Sequence, residues 1–309
     1  MKITTVKMKH KQQVKDLWNY CFYDADPYLS WYYDNVFKPE NTVAAIENDR
    51  VLSAMQLLDF DVVIRGKTYP CSYIAGVSTL PEFRGKGLAA KVMEETEKLA
   101  KSRGKAFTLL TPAIDGFYEK FGYTSCYERL EYSYCPSDFK PEKSRCTAKK
   151  AGRADADAMM AVYDQFTACM DGYVKRTAKD FADIVEQYSL ESGGVYLFYN
   201  EDDEPVAYIA YDLSDRTIFA EEIAYSCQQG LNAALEFIYL HSSQIDRTVI
   251  FAPLHSLLNS TLYSSKIEIK RIPTVMIKSL QQPIDDMRLF VGQTDGEGMP
   301  LQKNYIRIF

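Results

Sequence analysis

The sequence predicts a mixed α/β fold, an α+β arrangement around a mixed sheet, built as two similar halves. Its 309 residues suit two domains of ordinary size. In each half, apolar β-branched runs of strand length alternate with stretches whose apolar residues recur at helical spacing. Each half also carries a glycine, a helix, a strand and a proline in that order, Gly87 to Pro112 and Gly230 to Pro253, at spacings of 25 and 23 residues. This repeated order predicts a duplicated unit.

The first half is predicted to begin with two short helices and to continue into a run of strands. The helices cover 11–22 and 27–37, and the strands cover 42–47, 51–59, 61–65 and 69–79. Turn residues separate the strands at Asn48-Asp49 and at Arg65-Gly66-Lys67. A helix then follows Gly87 and ends near Gly104, a typical C-cap glycine. The half closes with a strand over 106–111, a short helix near 116–120 and a strand over 123–134.

The second half is predicted to follow the same plan. Its elements are helices near 154–170 and 178–191, strands over 195–199, 205–213 and 217–225, a turn over 226–230, a helix over 231–241 and a strand over 248–252. Between the halves, the stretch that begins at Cys135-Pro136 is rich in turn residues and predicts a linker. We therefore expect a first domain over 1–135, a linker over 136–150, a second domain over 151–268 and a C-terminal segment over 269–309.

Composition narrows the possible functions. The net charge of −6 disfavours nucleic acid as a partner, because binding phosphates needs a clustered basic surface. The chain has no apolar run of about 18 residues and no signal-peptide pattern near Met1, so no membrane association is expected. Seven cysteines are scattered without a C-x-x-C pair, which is typical of reduced thiols in the cytoplasm. The three histidines are isolated from acidic or cysteine clusters, so no metal site is expected.

The most informative stretch is residues 77–93. A basic glycine turn, Arg84-Gly85-Lys86-Gly87, joins an apolar β-branched run to an amphipathic helix. Backbone N–H groups at a helix N-terminus, approached closely at glycines, form an anion cradle suited to a pyrophosphate, and Arg84 and Lys86 add positive charge. The order of elements differs from that of a dinucleotide-binding fold, and the P-loop pattern is absent from the sequence. A purely structural turn is the alternative interpretation.

In this strand–turn–helix context, the turn closely resembles the R-x-x-G-x-G/A coenzyme A signature of the GNAT N-acetyltransferases. The resemblance implies two tandem GNAT-like domains and acetyl-CoA as the co-substrate. The second copy of the turn, Ser226 to Gly230, lacks the basic residues and the first glycine, which predicts a degenerate second domain without coenzyme binding. In the first domain, the implied coenzyme-binding residues are Val77, Ser78, Thr79, Arg84, Gly85, Lys86, Gly87, Leu88, Ala89, Ala90 and Ala113.

A functional GNAT unit followed by a degenerate one resembles the Eis-like acetyltransferases. The segment from Leu110 to Tyr123 is similar to the tyrosine-bearing segment of that family. Eis-like proteins form rings of subunits, so the resemblance implies a homo-oligomer. They usually continue into a third, sterol-carrier-like domain, of which residues 269–309 would be a remnant or the start. A short or truncated member of the family is therefore expected.

Tyr118 is the candidate general acid. A phenol with a pKa near 10 can donate a proton to a leaving thiolate whose conjugate acid lies near 8.5, and the family's acid occupies the matching position. From spacing alone, a core aromatic beside Phe117, Phe121 and Tyr123 is the more common interpretation. The Eis-like resemblance also implies that the terminal carboxylate, here that of Phe309, enters the active site. No cysteine is placed by a motif as a nucleophile, so we expect direct attack of the amine in a ternary complex.

Acidic and aromatic residues in the N-terminal helical segment are the candidate contacts of the acceptor, because this segment borders the acceptor pocket in GNAT folds. Carboxylates and rings suit a cationic amine through charge pairing and cation–π contact. Helix capping by Asp26 and an ordinary aromatic core are the alternative interpretation. The candidates are Asp24, Asp26, Trp31, Tyr33 and Phe37. A small-molecule or lysine-type amine is the expected acceptor.

Two other functions stay open at the level of sequence. One is a tandem-GNAT aminoacyl transferase that takes its acyl group from charged tRNA, which the acidic net charge and the intact turn at Arg84 disfavour. The other is a non-catalytic acyl-CoA-binding sensor or assembly subunit. The sensor would bind coenzyme without turnover, and the tRNA-dependent transferase would turn over without acetyl-CoA, so binding and turnover together distinguish the three functions.

Overall fold

The computed structural model describes residues 1–281 except 25, 115, 191 and 255. These residues form two compact units, the first of residues 1–126 with 274–281 and the second of residues 127–273. The predicted domain limits differ from these units, since the predicted first domain extends to 135 and the predicted C-terminal segment begins at 269. The part of that segment beyond 281, including Phe309, lies outside the described residues.

The elements occur in the predicted order, with three further short strands at residues 2–5, 147–150 and 173–175 that the sequence did not predict. The helices are α1 (Lys11–Phe22), α2 (Tyr28–Asn35), α3 (Leu88–Ser102), α4 (Ala156–Thr167), α5 (Ala178–Ser189), α6 (Gln228–Leu240) and α7 (Leu258–Thr261). The strands are β1 (Lys2–Thr5), β2 (Thr42–Glu47), β3 (Arg50–Ile64), β4 (Lys67–Thr79), β5 (Phe107–Leu110), β6 (Thr124–Tyr134), β7 (Thr147–Lys150), β8 (Tyr173–Lys175), β9 (Gly194–Tyr199), β10 (Pro205–Ser214), β11 (Thr217–Tyr225), β12 (Arg247–Pro253) and β13 (Glu268–Ser279). The mixed α/β fold class is confirmed.

In the first unit, hydrogen-bonded strands follow the order β1-β2-β3-β4-β5-β13. Only the β4–β5 pair of this series is parallel, and β13 joins β5 through residues 276–279. The helix α3 packs on the sheet because its apolar stripe faces the strands. The core between them contains Val43, Met55, Leu57, Ile74, Val92, Met93, Leu110, Tyr118 and Tyr123.

In the second unit, the strand order is β6-β12-β11-β10-β9-β7, with β11 and β12 parallel. Successive residues of β10 enter different cores, because side chains alternate across a strand. Ala207 and Ile209 pack with α6, whereas Tyr208 and Ala210 pack with α4 and α5. The sheet is therefore covered by helices on both faces, which explains its continuous apolar strands.

Two predicted features of the fold are wrong. The segments 51–59 and 61–65 form one strand, β3, because the charged residues around Asp59 lie on a continuous ladder with β4 rather than in a turn. The predicted turn over 226–230 ends early, since α6 begins at Gln228 and contains Gly230. A Cβ on Gly230 would lie 2.4 Å from the carbonyl oxygen of Val206, so this glycine serves close helix–strand packing.

Within the described ranges, no helix combines the length and apolar character needed to span a bilayer. In the same ranges, no three His, Cys, Asp or Glu side chains gather where they could hold a metal ion.

Candidate functional site

The strand β4 bends away from β5 just before the predicted coenzyme turn. Two residues of β4, Gly76 and Val77, stand opposite one residue of β3, which makes a β-bulge with Gly76 at φ +60°. Among the described residues, β4 pairs with β5 only from Cys71 to Tyr73. Among the described residues, β5 consequently leaves the edge of Val77–Thr79 uncovered, and on that edge the Thr79 carbonyl oxygen accepts from the Arg84 side chain. An extended group with amides, such as pantetheine, could add to that edge as a strand does.

The turn from Arg84 to Gly87 requires its glycines for backbone geometry. Gly85 and Gly87 have φ values of +73° and +76°, and nothing lies within 4 Å of a Cβ built on either. Gly87 is the N-cap of α3, which has no side-chain cap and no acidic residue in its first turn. The first intrahelical bond runs from the Lys91 N–H to the Gly87 carbonyl, so the N–H groups of Leu88 to Ala90 precede the helical ladder. This geometry suits an anion.

The Arg84 side chain turns back onto the protein. Its Nε donates to the Thr79 carbonyl oxygen at 3.0 Å, and its Nη2 lies 3.5 Å from the Cys21 Sγ. The guanidinium also lies 5.9 Å from the ring centre of Tyr20. Arg84 thus connects the turn to the end of β4 and to α1, and it also adds positive charge to the turn. The Lys86 ammonium stands beside the turn, 5.1 Å from the ring centre of Phe83.

Tyr118 lies in the core of the first unit, and its hydroxyl has no hydrogen-bond partner among the described residues. The residue is 5% exposed and packs edge-to-face on Phe117 and Tyr123. Across the described part of the chain, no side chain or backbone group hydrogen-bonds its hydroxyl. Burial raises the pKa of Tyr118 to about 12, and the nearby Tyr73 adds to the rise. The phenol is therefore protonated at neutral pH and can act as a donor.

Tyr73 is a neighbour that the sequence did not single out. It occupies the last residue pair of the β4–β5 ladder, opposite Leu109. Its hydroxyl accepts a hydrogen bond from the Thr111 N–H at 3.1 Å, and burial raises its pKa. The tyrosine lies in a predicted strand, where its spacing is that of any ladder residue, so no sequence signal distinguished it.

Asp24 and Asp26 line one cavity of about 400 Å³. The Oδ2 of Asp24 accepts the indole Nε1–H of Trp18 at 2.6 Å. The Oδ1 of Asp26 accepts the Ser30 N–H at 3.0 Å, and hydrogen bonds from Ser30 lower the pKa of Asp26. The other lining residues are Gln12, Lys15, Asp16, Asn19, Tyr23 and Leu29. The structure therefore gathers carboxylates on this surface of α1.

The predicted aromatic contacts lie apart from those carboxylates. Trp31 and Tyr33 are 7% and 2% exposed; Trp31 stacks on Tyr28, and Tyr33 packs against Trp18 and Tyr32. Phe37 stacks on Tyr33 with ring centres 5.2 Å apart. The Tyr33 hydroxyl accepts from the buried Gln56 amide at 3.3 Å. These three side chains pack against other rings of the first unit, and none of them lines the acidic cavity.

Ala113 is exposed in the segment between β5 and the short 3-10 turn Glu119–Phe121. This is the same connection that carries Tyr118, so the coenzyme candidate and the acid candidate share one loop. Phe309, the other catalytic candidate, lies outside the described residues.

The second unit repeats the bulge but closes the gap with its own side chains. Glu221 is the bulged residue of β11, and the β11–β12 ladder ends one residue earlier, at Ala220. The Arg129 guanidinium lies 3.5 Å from the ring centre of Phe251 and 3.8 Å from the Glu221 carboxylate. Burial raises the pKa of Glu221 to about 7, against the pull of Arg129. The α6 N-cap is Cys227, without a glycine turn.

The second unit also contains a buried ion pair. Arg176 and Glu222 form a two-bond pair at 2.6 and 2.9 Å, with side chains 5% and 8% exposed. The Tyr208 hydroxyl donates to the same carboxylate at 2.5 Å. Both carboxylate oxygens of Glu222 are thus engaged within the protein, which is typical of a structural network.

Comparison with known proteins assigns both halves to one domain type. The family model described as an acetyltransferase (GNAT) domain matches residues 2–126, and a second model of the same description matches residues 172–288. N-alpha-acetyltransferase 30 of Schizosaccharomyces pombe is 31% identical over 140 residues, which are 43% of this chain and 89% of that protein.

Solved structures with the same fold cover most of the chain. A conserved protein of unknown function from Enterococcus faecalis V583, described as a probable N-acyltransferase, has a TM-score of 0.77 at 19% identity, over 91% of this chain and 72% of that one. Eis1 from Mycobacterium abscessus has a TM-score of 0.69 at 12% identity, over 91% and 74%. An N-myristoyltransferase from Saccharomyces cerevisiae with bound myristoyl-CoA has a TM-score of 0.61 at 9% identity, over 88% and 79%. With its open β4–β5 gap and glycine turn, the chain belongs to the GNAT acetyltransferase family and carries two GNAT domains in tandem.

Proposed function

We propose that the protein is an acetyl-CoA-dependent N-acetyltransferase that acetylates a primary amine by direct attack in a ternary complex. The observation that carries this proposal is the edge of β4 that β5 leaves uncovered, followed after the 3-10 turn Pro81–Phe83 by the glycine turn at Arg84–Gly87. GNAT acetyltransferases use acyl-CoA, and only the first unit combines an open gap with such a turn among the described residues. Acetyl, as the acyl group, agrees with the name of the curated relative.

The coenzyme is proposed to bind along the first unit in two parts. Pantetheine amides pair with the backbone of Val77–Thr79, as an added strand would. The pyrophosphate meets the N–H groups from Gly85 to Ala90, where Lys86 supplies positive charge. Ala113 faces the coenzyme from the opposite loop. A backbone N–H of Val77–Thr79 also polarises the thioester carbonyl, since a preorganised donor stabilises the developing oxyanion.

The reaction then needs two proton transfers. The amine nitrogen attacks the thioester carbon, the C–N bond forms, and the C–S bond breaks to release coenzyme A thiolate. Tyr118 donates its phenolic proton to that thiolate and is reprotonated from solvent. The attacking amine loses its proton to water or to a carboxylate. The terminal carboxylate of Phe309 stays a prediction for this base, carried by the Eis-like resemblance alone.

The acceptor is proposed to be a cationic small-molecule or lysine-type amine. The cavity of about 400 Å³ holds the carboxylates of Asp16, Asp24 and Asp26 beside one ammonium, that of Lys15. A second positive group on the acceptor would offset this negative charge.

We also propose a cytoplasmic homo-oligomer of Eis-like type, which size-exclusion chromatography with light scattering would test.

Calorimetry with acetyl-CoA tests the proposal, combined with a mass-spectrometric screen of amines. Gly87→Trp places a side chain at the N-cap of α3 and should abolish binding. Gly104→Trp is the matched control, because Gly104 follows the other end of α3 with φ +74° and also has nothing within 4 Å. It should bind acetyl-CoA as the wild type does.

Each other result contradicts the proposal. Absence of acetyl-CoA binding by the wild type excludes a coenzyme function. Tight binding without thiol release across polyamines, aminoglycosides and peptides favours the sensor. Transfer of an aminoacyl group from charged tRNA, without use of acetyl-CoA, favours the tRNA-dependent transferase.

A further inference from the structure

Trp18, on α1, touches two parts of the first unit that the proposed reaction must coordinate. One edge of its indole donates Nε1–H to the Oδ2 of Asp24 at 2.6 Å. The other edge lies against the bulge of β4, where a Cβ on Gly76 would come within 2.5 Å of Cε3 and Cζ3 of the ring. The side chain is 8% exposed. The indole ring of Trp18 thus contacts both Asp24, which lines the acidic cavity, and Gly76, the residue of β4 directly before Val77.

The indole has little freedom to tilt. Its ring centre lies 4.8 Å from that of Tyr32 and 6.1 Å from that of Tyr33. Both of these tyrosines are held by the side-chain amide of buried Gln56. A ring packed on one side and seated on a glycine on the other moves only if the bulge moves with it.

We propose that Trp18 is a positioning residue that holds the Asp24 carboxylate for a cationic acceptor and ties its position to the coenzyme strand. The inference rests on the proposed function. A carboxylate that accepts one indole N–H keeps its other lone pairs for an ammonium group. Hydrogen bonds to charged groups are among the stronger ones, so losing the indole donor should weaken amine recognition measurably. Coenzyme along Val77–Thr79 would restrain the bulge and, through it, the indole.

Steady-state kinetics with spermidine, a polycation at neutral pH, test whether Trp18 holds Asp24 for the acceptor. Trp18→Phe keeps a ring against Gly76 but removes the N–H donor. The expected result is a KM for spermidine raised about tenfold, with kcat and the KM for acetyl-CoA within about twofold of wild type. Asp24→Asn should raise this KM at least as much, because it removes the charged contact itself, and the double variant should be no worse than Asp24→Asn alone, since Trp18 acts through Asp24.

Charge selectivity separates positioning from a general loss of packing. The wild type should prefer spermidine over 4-methylaniline, whose amine is uncharged at neutral pH, and Trp18→Phe should reduce that preference about tenfold. Lys11→Met is the matched control, since it removes another α1 hydrogen bond, from Lys11 to Asp34 at 2.8 Å, outside the acidic cavity. It should leave the preference unchanged.

Fluorescence tests the link to the coenzyme strand without turnover. The chain has two tryptophans, so Trp31→Phe leaves Trp18 as the single one. Coenzyme A alone should shift its emission, and the shift should shrink when Asp24→Asn is added. This measurement also decides the matter if Trp18→Phe fails to fold.

The outcomes separate this inference from the proposed function. A wild type that neither binds acetyl-CoA nor acetylates any amine contradicts both. An active wild type with unchanged spermidine KM in Trp18→Phe overturns the positioning role alone. Acetylation of 4-methylaniline without binding of spermidine overturns the cationic class of acceptor, and an emission unaltered by coenzyme A overturns the link to β4.

Discussion

At the scale of single residues, the phenol of Tyr118 combines burial with a hydroxyl that no described residue hydrogen-bonds. Its ring packs like a core aromatic, while among the described residues its hydroxyl has no hydrogen-bond partner. The two interpretations of this residue from sequence, core and acid, are therefore compatible in one side chain. A desolvated phenol keeps its proton to a higher pH than in water, which suits a donor that must stay protonated until the thiolate forms.

Tyr118→Phe should lower kcat about 100-fold or more and leave the acetyl-CoA affinity unchanged, because the proton donor is lost and the ring remains. Since burial raises the pKa of Tyr118 to about 12, the wild-type kcat should show no loss from this group up to about pH 10. Tyr123→Phe is the control, because its hydroxyl is engaged within the core by Thr108 at 2.8 Å and by the Met93 Sδ at 3.7 Å. Full activity of Tyr118→Phe at every pH would show that another group is the acid.

Glu221 gives the stability of the second unit a dependence on pH. Burial raises its pKa to about 7, so between about pH 4.5 and 7 the folded state keeps a proton that the unfolded state releases. The contribution of this group is therefore greatest at low pH and falls as pH rises through 7. Glu221→Gln should reduce the loss of unfolding free energy between about pH 5 and 8 by roughly 1–3 kcal/mol, measured by urea denaturation. An identical pH dependence in the variant would contradict the shifted pKa.

At the scale of elements, the glycines at the start of α3 and within α6 act differently. Gly87 has a positive φ and open space around it, whereas Gly230 lies in a helix with the Val206 carbonyl directly beneath it. The sequence spacing made them look equivalent, because spacing does not reveal whether a glycine serves φ or contact. The turn at Arg84 could be predicted because φ, charge and helix start are all local. The contact between Trp18 and Gly76 could not, since it joins residues 58 positions apart and a helical tryptophan fits any core.

Gly230→Ala should destabilise the protein by about 2 kcal/mol or more, because the new methyl group displaces α6 from β10. Thermal and urea unfolding measure the effect. Gly66→Ala is the comparison, with φ +72° and nothing within 4 Å, and should cost only about 1 kcal/mol of backbone strain. Equal costs for the two variants would mean that the α6–β10 contact relaxes freely.

At the scale of the whole molecule, the chain carries the same domain twice with different outcomes. The first unit has a glycine turn and a β4 edge that β5 leaves uncovered, and the second has Cys227 at its helix start and Arg129 between Phe251 of β12 and Glu221 of β11 at the matching place. The duplication and the missing second turn could be predicted from the sequence. The side chains around the second gap could not, because Arg129 and Phe251 lie on neighbouring strands that are far apart in the sequence.

The chain should bind one acetyl-CoA, because only the first unit offers an open gap among the described residues. Calorimetric stoichiometry and native mass spectrometry measure the number. Gly87→Trp should reduce the number of bound acetyl-CoA molecules to zero, and no weaker site should remain. Two equivalents bound per chain would show that the Arg129–Phe251 stack gives way to a ligand.

The strand β13 has a consequence for the order in which the protein is made. Its residues 276–279 supply the second neighbour of β5, which is synthesised roughly 170 residues earlier. At translation rates of about 5–20 residues per second, β5 waits roughly 10–30 s for that partner. We therefore expect the first unit to be the last to complete its sheet, although it is the first to leave the ribosome. Its exposed strand edge during that interval is the place where chaperones would be expected to act.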